Sequence, residues 1–390
     1  MSKPIGVGMI GYRFMGKAHS QAYHDVGFFF NLTRPVAMRA ICGRDEAAVK
    51  AAAAKWRWES YETDWRNLLK RDDIDIIDIG SPGNTHKEIA IAAAEAGKHI
   101  ICEKPLANNL ADAKAMLAAV QKAGVKHMVA FNCRKIPAII LAKQWIDEGL
   151  IGEPYLFRGT YLQDFIIDPD FPLVWRLQKE LCGSGPLGDL AAHTIDLAHY
   201  LVGDIAEVVG MMKTFISERP LPQAFDEGLG ATGSASEKKG PVTVEDSAAF
   251  LAKFSNDVLG TFEATRFATG NRNAHSIEIN GSKGSIKWNI ERLNEIQLYL
   301  KDDPQGRQGW RTVLVGEGSH PYISAYWPAG HIIGWEHSFI HEVYEFLEAI
   351  ANDTAIAPSF VDGVKCQAVL EAVEQSVKEK TWIPVEQVNG

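Results

Sequence analysis

Between Ile5 and Ala130, short apolar runs alternate with helical stretches often enough to leave few folds open. Ile5–Ile10, Val36–Cys42, Ile74–Ile79, Lys98–Cys102 and His127–Ala130 read as strands. Lys17–Val26, Glu46–Trp56, Glu88–Ala96 and Asn109–Ala123 fall between them and read as helices, the last three rich in alanine. A repeat of this kind predicts a parallel sheet with helices on both faces, since each helix carries the chain back to start the next strand in the same direction. The expectation is an α/β fold whose N-terminal domain, residues 1–131, is a Rossmann-type doubly wound parallel sheet.

The first strand runs into Gly11-Tyr12-Arg13-Phe14-Met15-Gly16 and then a helix. Strand, tight turn and helix are the setting in which a dinucleotide fingerprint carries meaning. Gly11 makes the turn, Gly16 lets helix pack on strand, and the helix N-terminus faces a pyrophosphate. Arg13 replaces the middle glycine; an outward-turned arginine suits a phosphate. The second strand ends in Gly43-Arg44-Asp45. Gly43-Arg44 leans toward a 2′-phosphate, Asp45 could reach a ribose, and both charged residues could simply cap the next helix, so NAD(H) and NADP(H) both stay open.

The fourth strand stops at Glu103-Lys104-Pro105. Ligands of open parallel sheets sit outside the carboxyl ends of the strands, where Lys104 could reach a cofactor and a substrate together. Pro105 restricts the backbone of the residue before it.

The pattern changes after Asn132-Cys133-Arg134. One more helix, Pro137–Glu148, precedes a series of strands: Tyr155–Gln163, Val208–Ile216, Ala248–Phe254, Val258–Phe267, Ser276–Asn280, Ser285–Asn289 and Ile296–Leu300. Strands in succession predict a large, mostly antiparallel sheet in an α+β domain over residues 132–390, serving substrate binding and oligomerisation. Glu218–Asp246, rich in Gly, Pro, Ser and charge, reads as a long mobile loop. Glu336–Ile350 and Val364–Glu379 read as closing helices, with His337 and His341 simply packed or exposed.

A net charge of −9 gives no footprint for nucleic acid or an anionic membrane and points to a small-molecule partner. The five cysteines are scattered without a CxxC pair, as expected of reduced thiols in the cytoplasm. No signal-like start and no apolar run of about 18 residues is present, so a soluble protein is expected.

One helix in the second domain combines acids and imidazoles. Asp189 and His193 are four apart, which places them one turn apart on one helical face, with Asp196 and His199 continuing it. A carboxylate beside an imidazole can fix its tautomer and raise its pKa, giving a general base near neutrality. A core histidine or a metal-binding face are the competing readings. No HExxH or cysteine cluster supports the metal, and none is expected.

The dinucleotide turn, Glu103-Lys104-Pro105 closing a strand, and Asp189-x-x-x-His193 opening a later helix together resemble the Gfo/Idh/MocA oxidoreductases along essentially the whole chain. The resemblance implies a nicotinamide-dependent dehydrogenase acting on a sugar or polyol hydroxyl, with Lys104, Asp189 and His193 catalytic. It implies cofactor contacts at Gly11, Tyr12, Arg13, Phe14, Met15, Gly16, Gly43, Arg44, Glu103 and Lys104. The turn after the third strand, Ser81, Pro82, Asn84 and His86, belongs to the same set, with Gly83 standing where the family has asparagine. Segments such as Phe157–Asp164 and Gly183-Ser184-Gly185 are similar to a branch that oxidises the C3 hydroxyl of a pyranose. Asn132, Arg134, Tyr161 and Gln163, beside Lys104, Asp189 and His193, are the expected sugar contacts, with Asp164, Trp175, Arg176 and Trp335 as further candidates. A redox-neutral glycoside-processing enzyme with tightly held NAD, and a non-catalytic dinucleotide sensor, are the rival functions. The family also implies a homodimer or homotetramer.

Overall fold

The computed structural model describes residues 3–222 and 235–388. The first sheet comprises β1 (Ile5–Ile10), β2 (Val36–Cys42), β3 (Ser60–Glu62), β4 (Ile76–Ile79), β5 (His99–Cys102) and β6 (His127–Val129). Its order is β3-β2-β1-β4-β5-β6 and every pairing is parallel. Between the strands run α1 (Phe14–Phe29), α2 (Glu46–Trp56), the single turn α3 (Arg66–Leu69), α4 (His86–Glu95) and α5 (Leu110–Ala123). β1 and β4 are buried at every residue, as central strands covered on both faces must be. The chain reverses between β1 and β4, so the crevice at their carboxyl ends is the switch point where such sheets bind ligands. The helix ends follow side-chain chemistry. Asp45 accepts from the Ala48 N–H at 3.0 Å to start α2. Asn109 accepts from Asp112 N–H at 2.8 Å to start α5, which Gly124 closes in the left-handed conformation.

Strand β3 escapes the sequence reading. Its three residues, Ser-Tyr-Glu, are too few to show a period of two, and they pair only with β2 at the sheet edge.

After α6 (Pro137–Asp147) come β7 (Pro154–Leu162), a single turn α7 (Lys179–Cys182), α8 (Ala192–Leu201) and β8 (Ile205–Lys213). A two-stranded ribbon, β9 (Glu218–Pro222) and β10 (Ala235–Pro241), leads into β11 (Ser247–Phe254), β12 (Leu259–Thr265), β13 (Ala274–Gly281), β14 (Gly284–Asn289), β15 (Glu295–Leu300) and β16 (Arg311–Leu314). Helices α9 (His337–Asn352) and α10 (Phe360–Glu379) and the two-residue strand β17 (Ile383–Pro384) end the chain. The second sheet has the order β16-β15-β14-β13-β7-β12-β11-β8-β17. It is antiparallel except where β7 meets β12. Helix α10 lies on one face of it, while the opposite face leaves Met211, Leu251 and Leu259 exposed.

The ribbon corrects the expectation of a loop over Glu218–Asp246; the part at 223–234 lies outside the described residues. Proline and glycine are tolerated in a ribbon with two free edges, and a buried arginine anchors this one. Arg219 is wholly enclosed and donates to the carbonyls of Ile166 and Asp168, the latter at 2.8 Å.

Helix α9 packs on α1, and Phe339, Ile340, Val343, Phe346 and Leu347 complete the apolar layer over β1. The last part of the chain thereby reaches back to the switch point. Among the described residues, no helix is long and apolar enough to cross a membrane.

Candidate active site

On the dinucleotide side, Gly11 has φ +111°, and a Cβ there would lie 2.7 Å from the Gly80 carbonyl oxygen. A Cβ on Gly16 would lie 2.2 Å from the carbonyl oxygen of Gly11. Both positions demand glycine, one for conformation and one for helix–strand contact. Arg13 precedes α1 without a side-chain cap, and the first turn carries no acid. The first N–H groups of this four-turn helix therefore point at the crevice with their positive end free for a phosphate. Arg13 turns outward, as its substitution for glycine requires, and its guanidinium lies 5.2 Å from the Tyr12 ring centre. Phe14 stacks on Trp335 at 5.6 Å. The two glycines, the uncapped helix start and the outward Arg13 suit this turn to a dinucleotide pyrophosphate.

At the end of β2, Asp45 is spent on the α2 cap, whereas Arg44 is exposed. Past β4, a Cβ on Gly83 would meet Asn108 Oδ1 at 2.5 Å, so Asn108 occupies the space a side chain at 83 would need. Neighbouring Asn84 is exposed, and Ser81 bonds Thr85 through their hydroxyls at 2.7 Å. His86 is buried. Its Nε2 lies 2.8 Å from the Ser81 carbonyl and its Nδ1 3.2 Å from those of Pro105 and Leu106. It thus staples the Ser81 turn to the turn that follows Lys104. Glu103, expected among the cofactor contacts, turns its carboxylate inward to His19 at 3.0 Å and to the Lys104 N–H at 3.1 Å.

Lys104 emerges from the end of β5, with a cis peptide to Pro105. Its ammonium donates to Asp189 Oδ1 at 2.7 Å and to the Asp189 carbonyl at 2.9 Å. Arg266, past the end of β12, donates to Asp189 Oδ2, and the Arg176 Nε stands 3.8 Å from the same oxygen. Burial alone pushes the Asp189 carboxyl up, but Lys104, then Arg266 and Arg176, hold it well below the usual carboxylate range. Three cations around one half-buried carboxylate leave this corner positive.

The Asp189–His193 pairing expected from helical spacing does not form. Residues Leu187–Ala191 make a wide π turn ahead of α8, which adds a residue to the turn and swings Asp189 toward Lys104. His193 is buried, and its Nδ1 has no hydrogen-bond partner. Burial, then Lys104 and His275, drive its pKa well below the ordinary value, with Asp189 opposing weakly. The imidazole is therefore lowered rather than raised, and it stays neutral.

The other expected sugar contacts divide. Tyr161 and Gln163 converge on the Asn273 side-chain oxygen, at 3.0 and 2.9 Å. The Tyr161 ring lies 6.0 Å from His193 and stacks on buried His275 at 4.6 Å. Asn132 donates to Ser338 at 2.8 Å, tying the end of β6 to α9. Trp175 carries the Arg176 guanidinium 4.4 Å from its ring centre. Asp164 accepts from the Gly270 N–H at 3.0 Å and braces a loop. Arg134 points elsewhere. Its guanidinium grips Asp196 at 2.6 and 2.8 Å and Asp362 at 2.9 Å, an ion triad that ties it to two carboxylates. Arg266, Asn273, His275 and Asn108 escaped the sequence reading, because an isolated polar residue past a strand gives no sign of which way it will face.

Two matches decide the lineage. Residues 5–131 match the oxidoreductase family described as an NAD-binding Rossmann fold, and residues 139–287 match the GFO/IDH/MocA C-terminal domain. The chain belongs to the Gfo/Idh/MocA oxidoreductases. Among members of this family, the levoglucosan dehydrogenase of Pseudarthrobacter phenanthrenivorans is 43% identical over 388 residues, covering 99% of each chain. A solved structure of levoglucosan dehydrogenase in complex with NADH and levoglucosan aligns with a TM-score of 0.93, covering 98% of this chain and 100% of the other. The oxidoreductase domain protein from Kribbella flavida, 48% identical, has the same score over 99% of this chain and all of its own. The Rossmann lobe and the antiparallel sheet found here are those of the family.

Proposed function

We propose that this Gfo/Idh/MocA chain is a nicotinamide-dependent dehydrogenase that oxidises a sugar ring hydroxyl to a ketone. The hydroxyl is that on C3 of a pyranose or anhydropyranose. The observation that carries the reading is the meeting of Lys104, from the carboxyl edge of the Rossmann sheet, with Asp189 and His193 from the opening of α8. The likeness to levoglucosan dehydrogenase over nearly the whole chain supports the choice of sugar.

The dinucleotide, when bound along the Gly11–Gly16 turn, supplies the hydride acceptor. Lys104 donates to the carbinol oxygen and stabilises the negative charge that grows there as the C–H bond breaks. Neutral His193 accepts the hydroxyl proton. Asp189 acts on Lys104 rather than on the imidazole, holding the ammonium at the carbinol. Arg266 and Arg176 keep Asp189 ionised while doing so. Tyr161 and Gln163, joined through Asn273, offer polar groups to the other ring hydroxyls.

The lowered His193 pKa sets the pH dependence. Protonation on acidification removes the base, and the depressed value delays that loss to lower pH. The acid limb of kcat/KM is therefore expected below the ordinary imidazole value of about 6.5. A limb at or above that value, unmoved in His193→Asn, assigns the base to another group.

The exposed face carrying Met211, Leu251 and Leu259 is where this reading seats a second copy of the chain. A light-scattering mass of two or four chains is expected, and a mass of 43.0 kDa is the contrary result.

A further inference from the structure

Beneath Lys104 lies a cluster of ionisable side chains that the reaction above does not use. His19, on α1, is 1% exposed. Its Nδ1 lies 2.8 Å from Asp78 Oδ2 and its Nε2 3.0 Å from Glu103 Oε1. Each ring nitrogen thus faces one carboxyl group, and an imidazole protonated on both nitrogens donates to both at once. Burial opposes that charge, and Asp78 and Glu103 outweigh it. Asp78, wholly enclosed in β4, takes a further bond from the Tyr23 hydroxyl at 2.9 Å. From α9, Glu342 closes the cluster, with one oxygen unpartnered. Burial, reinforced by Glu103 and Asp78 against His19, pushes its carboxyl well up. Cys102, next to Glu103, is likewise pushed up by burial and stays a thiol.

Buried ion pairs of this kind add little net stability over apolar side chains of similar volume. Their value here lies in what they connect. Helix α1 presents its N-terminus to the dinucleotide, β4 leads into Ser81, and Glu103 holds the Lys104 N–H with its second oxygen at 3.1 Å. We propose that His19 is a positioning residue that clamps the Glu103–Lys104 turn to α1 and so fixes the Lys104 amine relative to the cofactor turn. This role rests on the reading of Lys104 given above.

The test uses the full chain as His19→Gln, Glu103→Gln and the double variant. Each single substitution is expected to lower kcat at least about tenfold through misplacement of the amine. NADH affinity by fluorescence and sugar KM are expected to stay within about threefold. Because both act through one contact, adding His19→Gln to Glu103→Gln costs less than about a further twofold. A wild-type kcat in His19→Gln, or losses that multiply, overturns the proposal; so does a lowered urea midpoint with kcat intact, the mark of a merely structural role. If His19→Gln does not fold, Glu103→Gln decides alone, an unchanged kcat being fatal. Hydrogen exchange supplies a readout independent of turnover. Peptides carrying the Lys104 N–H are expected to exchange at least about tenfold faster in either single variant than in wild type. Unchanged exchange in a folded variant overturns the clamp. A wild type that binds NADH yet oxidises no sugar defeats the functional reading and leaves this exchange measurement to decide the clamp.

Discussion

Replacing Lys104 by methionine is expected to lower kcat for sugar oxidation by about 10²–10⁴-fold. The substitution keeps length and apolar bulk but removes the only ammonium bonded to Asp189, through Oδ1 at 2.7 Å, among the described residues. Arg266 and Arg176 remain on the other oxygen, so Asp189 keeps partners and the fold keeps its local geometry. NADH affinity, measured by fluorescence, is expected to change by less than about threefold, because the pyrophosphate turn lies on a different loop. A variant retaining more than about a tenth of wild-type kcat shows that the developing alkoxide draws its stabilisation from elsewhere.

The second large effect falls on stability. Arg134, with its side chain 7% exposed, is shared by Asp196, 1% exposed, and Asp362. Burial pushes the Asp196 carboxyl up to about 7 even against the guanidinium. The intact triad is therefore close to neutral in worth, but removing the cation strands buried Asp196 beside the half-buried acid Asp362. Arg134→Met is expected to destabilise the protein by about 3–5 kcal/mol in urea unfolding. Its sugar KM, measured where the variant is folded, is expected to stay near wild type. The reverse pattern, a KM raised tenfold or more with stability lost by less than about 1 kcal/mol, returns Arg134 to the sugar site.

Arg134 shows where reading a sequence stops. It follows Asn132 at the end of a strand, and adjacency suggested a shared task. In the fold Asn132 faces Ser338 while Arg134 faces the far side, toward Asp196 and Asp362. Asp189 and His193 teach a related lesson. Helical spacing placed them together, and a π turn that no residue pattern announces separated them. The Rossmann lobe was legible almost strand by strand, because each strand is short, apolar and bounded by turn residues. Only Ser60–Glu62 was too brief to register. Lys104 was legible because a charged pair fixed by proline ended a buried strand. Arg266 and His275 were not, since their importance comes from long-range sheet register rather than local pattern. His19 lies on the helix that follows the Gly11–Gly16 turn, yet its partners Asp78 and Glu103 lie 59 and 84 residues away.

The central claim is that the carboxyl edge of this sheet removes a hydride from one ring carbinol. Wild-type enzyme incubated with NAD and levoglucosan deuterated at C3 tests it, the reduced nicotinamide being read by mass spectrometry. The account predicts deuterium in the reduced cofactor, with turnover slowed relative to the unlabelled sugar. Unlabelled NADH from that substrate would place the hydride donor at another carbon, and no NADH from any pyranose or anhydrosugar would contradict the dehydrogenase itself.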